Sequence, residues 1–134
     1  MPPVSISKSA QCPCGSGLKY IKCCGQYIKQ GKSATTAEVL MRSRYSAYVL
    51  QNEEYLLNTW HHSTRPNELK LDSEPEHWMK LDIVRTAAGK VKDDSGQVEF
   101  TASFRINNER QRMHEVSNFV KEDGQWFYVD GEVD

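Results

Sequence analysis

Residues 97–107, QVEFTASFRIN, alternate without a break. Val98, Phe100, Ala102, Phe104 and Ile106 fall on one side, and Glu99, Thr101, Ser103 and Arg105 on the other. Successive side chains of a strand point to opposite faces, so this period specifies a strand with one buried face. The flanks repeat the pattern. Residues 80–88, KLDIVRTAA, read as a strand, and residues 89–96, GKVKDDSG, as a turn. After a turn at 108–111, NERQ, comes a strand at 112–122, RMHEVSNFVKE. Asp123 and Gly124 then make a tight hairpin into 125–131, QWFYVDG.

Upstream the period becomes helical. Thr35 is able to cap a helix with Glu38 reciprocating three residues on. Ala37, Leu40, Met41, Arg44, Tyr45, Tyr48 and Val49 then recur at helical spacing to about Gln51. Asn52 opens a second helix, EEYLLNTW, which HHSTRPN breaks, with Pro66 enforcing the stop. Residues 68–78 are ambiguous, with a short helix around Glu76 as one reading. Helices followed by an antiparallel sheet is the α+β pattern.

The chain has 134 residues, enough for one ordinary domain or for a domain with a small appendage. Seventeen basic and eighteen acidic side chains leave a net charge of -1, which predicts no partner. Their distribution is informative. Residues 1–32 carry five lysines and no acid, so a basic head precedes an acidic body. No stretch approaches the roughly 20 apolar residues needed to cross a bilayer. The opening MPPVSISKSAQC lacks the charged-then-apolar pattern of a signal peptide, so the expected location is cytoplasmic.

All four cysteines lie in residues 11–26, QCPCGSGLKYIKCCGQ, as Cys12, Cys14, Cys23 and Cys24. Disulfides between such near neighbours would close small strained rings. Cys-x-Cys is also not the usual Cys-x-x-Cys pattern of thiol exchange. In a reducing compartment, clustered thiols more often bind metal. Four thiolates complete a tetrahedral zinc shell, so we expect one structural Zn²⁺ per chain. A closed shell has no position in which to activate water, so it is not catalytic. Pro13 stiffens the first pair, Gly15 and Gly17 let the backbone wrap, Ser16 caps the following turn, and Gly25 ends it. Lys19, Lys22 and Lys29, flanking Tyr20 and Tyr27, form either a basic, aromatic-tipped face that meets an acidic protein, RNA or anionic lipid, or a solvated lysine surface.

The stretch CPCGSGLKYIKCCG resembles the SEC-C motif, the zinc knuckle at the C-terminus of the bacterial SecA translocation ATPase. In the translocase this knuckle docks partner proteins and ribosomes, so the resemblance implies zinc and permits an adaptor role. The helical stretch MRSRYSAYVLQNEEYLLNTWHHSTRP and the hairpin HEVSNFVKEDGQWFYVDG resemble the YchJ-like family of bacterial proteins. That family pairs a SEC-C knuckle with a cone domain like nuclear transport factor 2, ketosteroid isomerase and scytalone dehydratase. The resemblance implies helices packed on a curved sheet, and it brings no particular activity with it. Some members carry a second knuckle at the C-terminus; none is read here through Asp134. The expected organisation is a knuckle at 1–25, a linker at 26–34 and the cone at 35–134.

Cone folds can hold a ligand between sheet and helices. Counting back from the Asp-Gly turn pairs Phe119 with Tyr128 and Ser117 with Asp130. Glu115, Ser117, Tyr128 and Asp130 then share a face, with Glu115 and Asp130 as candidate acid/base groups, Tyr128 as a donor, and Arg44 and Arg42 offsetting their charge. The alternative is that they are packing or solvent-facing residues. His61, His62 and His77 raise a second metal site or a general base; helical geometry disfavours a shared ion because adjacent residues diverge. A favourable interaction with a helix C-terminus is the plain reading. Trp60, Trp78 and Trp126 are expected in the core. Two functions follow: a zinc-binding adaptor that docks a protein, ribosome or nucleic acid through the knuckle, with a homodimer through the sheet also open, or a small-molecule binder or cofactor-independent lyase or isomerase that uses the cone.

Overall fold

The structure, a computed structural model, describes residues 6–7, 9–69, 71 and 77–133. It is the expected α+β arrangement of a cysteine-bearing N-terminal knuckle, helices and a curved antiparallel sheet. A 3-10 turn, Tyr20–Lys22, leads into α1 (Gly25–Ile28), α2 (Ala37–Val49) and α3 (Glu53–Asn58). The strands β1 (His77–Ala88), β2 (Ser95–Ile106), β3 (Glu109–Glu122) and β4 (Gln125–Val133) pair in chain order. The helix around Glu76 raised by the sequence lies outside the described residues.

Turn chemistry sets the strand lengths. Asn107 and Asn108 both take positive φ, +53° and +68°, so the β2–β3 connection is a two-residue turn and β3 starts at Glu109. The sequence reading placed this turn at 108–111; asparagine's tolerance of the left-handed region moves it forward. Asp123 and Gly124, at φ +52° and +78°, make the expected hairpin pairing Glu122 with Gln125. Register shifts in β1 after Trp78 and Ile83, and in the β3–β4 ladder at Asn118/Phe119, interrupt regular pairing; such shifts bend a sheet.

Thr36, not Thr35, caps α2, its hydroxyl accepting from the Val39 amide at 3.1 Å. The register therefore denies Glu38 its capping role, and Glu38 pairs instead with Arg42 at 3.0 Å. Asn52 caps α3 as expected, accepting from Tyr55 at 3.0 Å. Helix α2 is buried on several sides. Leu40, Met41 and Tyr45 join Leu81, Val98, Phe100, Phe119 and Trp126 of the sheet in one core cluster. Ser43 and Ser46 are fully buried on other sides: Ser43 meets the Tyr55 hydroxyl of α3 at 2.7 Å, and Ser46 meets the Cys12 sulfur at 3.5 Å.

The knuckle thus shares its core with the sheet. Cys12, Cys14, Tyr20 and Cys24 belong to the same buried cluster as α2 and the strands. Arg42 of α2 donates to the Cys14 carbonyl at 3.1 Å. Residues 59–65 lie along the outer edge of β4. His61 donates its amide to the Tyr128 carbonyl at 2.7 Å, and Tyr128 donates to Thr59 at 2.8 Å. The Thr64 hydroxyl bonds the Val129 carbonyl, completing a strap.

Candidate functional site

The cysteines converge through a small hairpin. The Cys12 amide donates to Leu18 at 2.8 Å and the Tyr20 amide to Ala10 at 2.9 Å, which closes the loop carrying Cys12 and Cys14. The 3-10 turn then presents Cys23 and Cys24 to the same point. Ser16 does not cap this turn; its hydroxyl accepts from Leu18 at 3.2 Å and lies 3.2 Å from the Cys23 sulfur. Gly25 opens α1 instead of ending a helix. Its hydrogen side faces Tyr20, and a Cβ there would sit 2.7 Å from the Tyr20 carbonyl oxygen.

All four sulfurs lie within 4.8 Å of one another, and Cys14 and Cys23 are 3.6 Å apart. A disulfide would require about 2.05 Å. A tetrahedral shell with metal–sulfur bonds of about 2.3 Å has sulfur–sulfur edges of about 3.8 Å, which this spacing matches. Crowding alone pulls the thiols apart electrostatically. Hydrogen bonds from Cys12 foremost, and Cys24, hold Cys14 well below the usual thiol range. The same interaction with Cys12, joined by Cys14 and burial, pushes Cys24 up, and burial raises Cys23 to about 11. A divalent cation removes this conflict by stabilising all four thiolates together. Arg42, bonded to the Cys14 carbonyl, and Ser16, against Cys23, supply the outer contacts that such a centre uses. The donor set therefore fits a closed metal centre.

Lys19, Lys22 and Lys29 are exposed on the knuckle, but Tyr20 is not beside them. It is 5% exposed, turned into the core under Gly25. Leu18 and Ile21, 54% and 38% exposed, stand among the lysines in its place. Between Ile6, Ile21 and Lys29 runs a shallow apolar groove of ≈190 Å³.

The cone holds a cavity of ≈270 Å³ between α2 and the sheet. Glu115, Ser117, Tyr128 and Arg44 all line it. Asp130 does not. The irregularity at Asn118/Phe119 pairs Asp130 with Asn118 and Ser117 with Gly131, so Asp130 turns to the outer face and accepts from Asn118 at 2.8 Å. One extra residue in β4 thus overrides the counted register. Glu115 accepts from the buried Ser117 hydroxyl and lies over Gly131, where a Cβ would collide with its carboxylate. Burial pushes the Tyr128 phenol up, with Glu115 adding to the effect, so it is a donor at neutral pH. Arg44 is 3% exposed, and burial pulls its pKa down. Its guanidinium donates to the Leu56 carbonyl and the Thr59 hydroxyl, each at 2.7 Å, and lies 5.1 and 4.6 Å from the Trp60 and Tyr128 ring centres. Arg44 therefore braces α3 against the strap as well as lining the cavity.

Only Trp126 of the three tryptophans is fully buried. Trp60 and Trp78 are half-buried; Trp78 lines the cavity, with its ring 5.5 Å from Phe104 and 6.0 Å from Tyr45. His61 and His62 also depart from expectation. They follow the end of α3, and their rings stack at 4.3 Å instead of diverging. His77 is an exposed residue at the start of β1. No helix among the described residues is long and apolar enough to cross a membrane.

Comparison with known proteins agrees with this two-part build. Residues 9–26 match the SEC-C motif, and residues 36–131 match the YchJ middle NTF2-like domain. A UPF0225 protein of Chromobacterium violaceum is 50% identical over 125 residues, covering 91% of this chain and 92% of the relative. One from Bordetella parapertussis is 44% identical over 129 residues, covering 95% and 96%. The solution structure of a SEC-C motif containing protein from Rhodopseudomonas palustris superposes with a TM-score of 0.80 at 35% identity, covering 90% of this chain and 96% of that one. The crystal structure of a SEC-C motif containing protein from Psychrobacter arcticus gives 0.75 at 32%, covering 92% and 82%. With its cysteine knuckle and cone both matched, the chain belongs to the UPF0225 family, a SEC-C motif followed by a YchJ-type NTF2-like domain.

Proposed function

We propose that this protein is a zinc-stabilised adaptor whose knuckle docks an acidic protein surface. Zinc is favoured over other ions because four thiolates in a closed tetrahedral set are its characteristic structural site. The observation that carries the docking reading is the pair of exposed aliphatic side chains, Leu18 and Ile21, set among Lys19, Lys22 and Lys29 beside an apolar groove. Lysines steer an acidic partner, and desolvation of the aliphatic centre supplies contact energy. With Tyr20 buried and Tyr27 only partly exposed, the face offers little aromatic surface for single-stranded nucleic acid to stack upon, which favours protein over RNA.

The test uses the full, metal-loaded chain as bait after nuclease treatment. A partner retained by wild type should be lost in Leu18→Ser/Ile21→Ser and in Lys19→Glu/Lys22→Glu/Lys29→Glu, and its binding should weaken with salt. Retention by both variants, or loss of the partner on nuclease treatment alone, refutes the reading.

A second reading rests on the cavity, which joins a buried cation, a carboxylate and a phenol among aromatic walls. Such a site takes a small polar ligand with an apolar body. Thermal-shift screening against metabolites should then find a ligand that raises the wild-type melting temperature and whose shift disappears in Glu115→Gln and Tyr128→Phe. A hit that stabilises both variants equally binds elsewhere.

A further inference from the structure

The strap along β4 gathers three metal-ligating side chains that the adaptor reading leaves unused. One ligand atom each of His61, His62 and Glu122 lies within 4.8 Å of the others. Their convergence follows from the backbone. Helix α3 ends at Asn58, so the two histidines sit on a turn in which the amides of Thr64 and Arg65 donate to the His61 carbonyl at 3.1 and 3.0 Å. Glu122 is the last residue of β3, fixed by its pairing with Gln125 across the hairpin. The strap therefore delivers two imidazoles to the carboxylate at the hairpin end.

Each side chain is also oriented. His61, only 9% exposed, accepts from the Ser63 amide at its Nδ1 at 3.1 Å and holds the same nitrogen 2.7 Å from the Ser63 hydroxyl. Its Nε2 faces Glu122. The His62 ring stacks on that of His61 at an interplanar angle of 30°, which keeps a nitrogen of each near Glu122, and the exposed His62 ring must swing for both to share an ion. Ligation through Nε2 requires the proton on Nδ1, where the Ser63 hydroxyl accepts it and holds the ring as an outer-sphere partner. Glu122 is half-exposed and His62 exposed, so an ion has an open approach.

From this geometry we infer that His61, His62 and Glu122 form a second divalent-metal site, separate from the cysteine cluster. Two imidazoles and a carboxylate select a borderline transition ion such as Zn²⁺, Co²⁺ or Ni²⁺ over Mg²⁺ or Ca²⁺, which take oxygen ligands. Bonds of about 2.0–2.2 Å place neighbouring ligand atoms about 3.3–3.6 Å apart in a tetrahedron. The ligand atoms, within 4.8 Å of one another, must draw together to that separation when an ion binds. Three protein ligands leave a position for water, unlike the sealed thiolate shell. The competing arrangement is a His61–Glu122 hydrogen bond that merely ties strap to hairpin, with His62 resting on it.

Untagged, full-length protein already carrying its cysteine-bound ion is titrated with Co²⁺ by calorimetry and visible absorption. Wild type should take up one further ion, giving ligand-field bands without added sulfur-to-metal charge transfer. His62→Ala and Glu122→Gln, both at accessible side chains, should each weaken that uptake at least tenfold and leave the cysteine-bound ion in place. Uptake that stops at the cysteine ion, or variants that titrate like wild type, overturns the site. Because the cysteine ion and partner capture are read separately, failure here leaves the adaptor reading standing, and the reverse holds too.

Discussion

Replacing Cys23 and Cys24 by serine, or stripping the metal with a chelator, is expected to disorder the knuckle and to loosen α2 with it. The effect reaches α2 because the sulfurs are core atoms. Cys14 and Cys24 are 0% and 1% exposed and lie in one cluster with Leu40, Tyr45 and Phe100. Structural zinc contributes about 10–16 kcal/mol of apparent binding free energy in finger-sized peptides. A whole domain retains only about 5–15 kcal/mol, so losing the ion is comparable to the total margin. Metal content should fall from one ion at the cysteines to none, and amide exchange should accelerate through residues 10–30 and through α2. Acid should act in the same direction, since thiolates must be deprotonated to ligate and protons compete with the metal as pH falls. A serine double variant that melts at the wild-type temperature, with α2 still protected, would show that the knuckle folds on packing alone.

Arg44→Met is expected to destabilise the protein by about 3 kcal/mol, since the Leu56 carbonyl and Thr59 hydroxyl would each lose a buried donor. The guanidinium also faces the Trp60 and Tyr128 rings, a contribution of about 1 kcal/mol or more that methionine replaces only with dispersion. Lysine should rescue only in part, because its ammonium can donate to both acceptors, as the single Nη1 of Arg44 does, but has no planar group to lie against the Trp60 and Tyr128 rings. Urea unfolding monitored by tryptophan fluorescence measures the change. A loss below about 0.5 kcal/mol would mean that Arg44 is dispensable to the brace and free to serve a ligand.

Much of this architecture is legible in the sequence. The unbroken alternation around Phe100, the Asp123-Gly124 turn and the Asn52 cap are local signals, and each predicted its element. The cysteine spacing likewise brought Cys12, Cys14, Cys23 and Cys24 together. What stayed hidden was set by tertiary contacts. The irregularity that turns Asp130 outward leaves no mark in a sequence of plausible strand residues. Tyr20 reads as an exposed aromatic until Gly25 is seen to make room for it. Thr35 and Thr36 are equivalent as caps until Ala37 donates to the Gly89 carbonyl and fixes where the helix begins. His61 and His62 diverge on an ideal helix, and only the early end of α3 lets them stack.

The strap across β4 has a bearing on self-association. A bare outer strand offers a row of unpaired amides and carbonyls on which another chain can template. Here the Tyr128 amide and carbonyl, which would lead such growth, are already bonded to Thr59 and His61. The middle of that rim is thereby occupied by the chain's own backbone and withheld from polymerisation. Shortening that segment would remove a safeguard against fibrils even if every cavity and metal ligand survived.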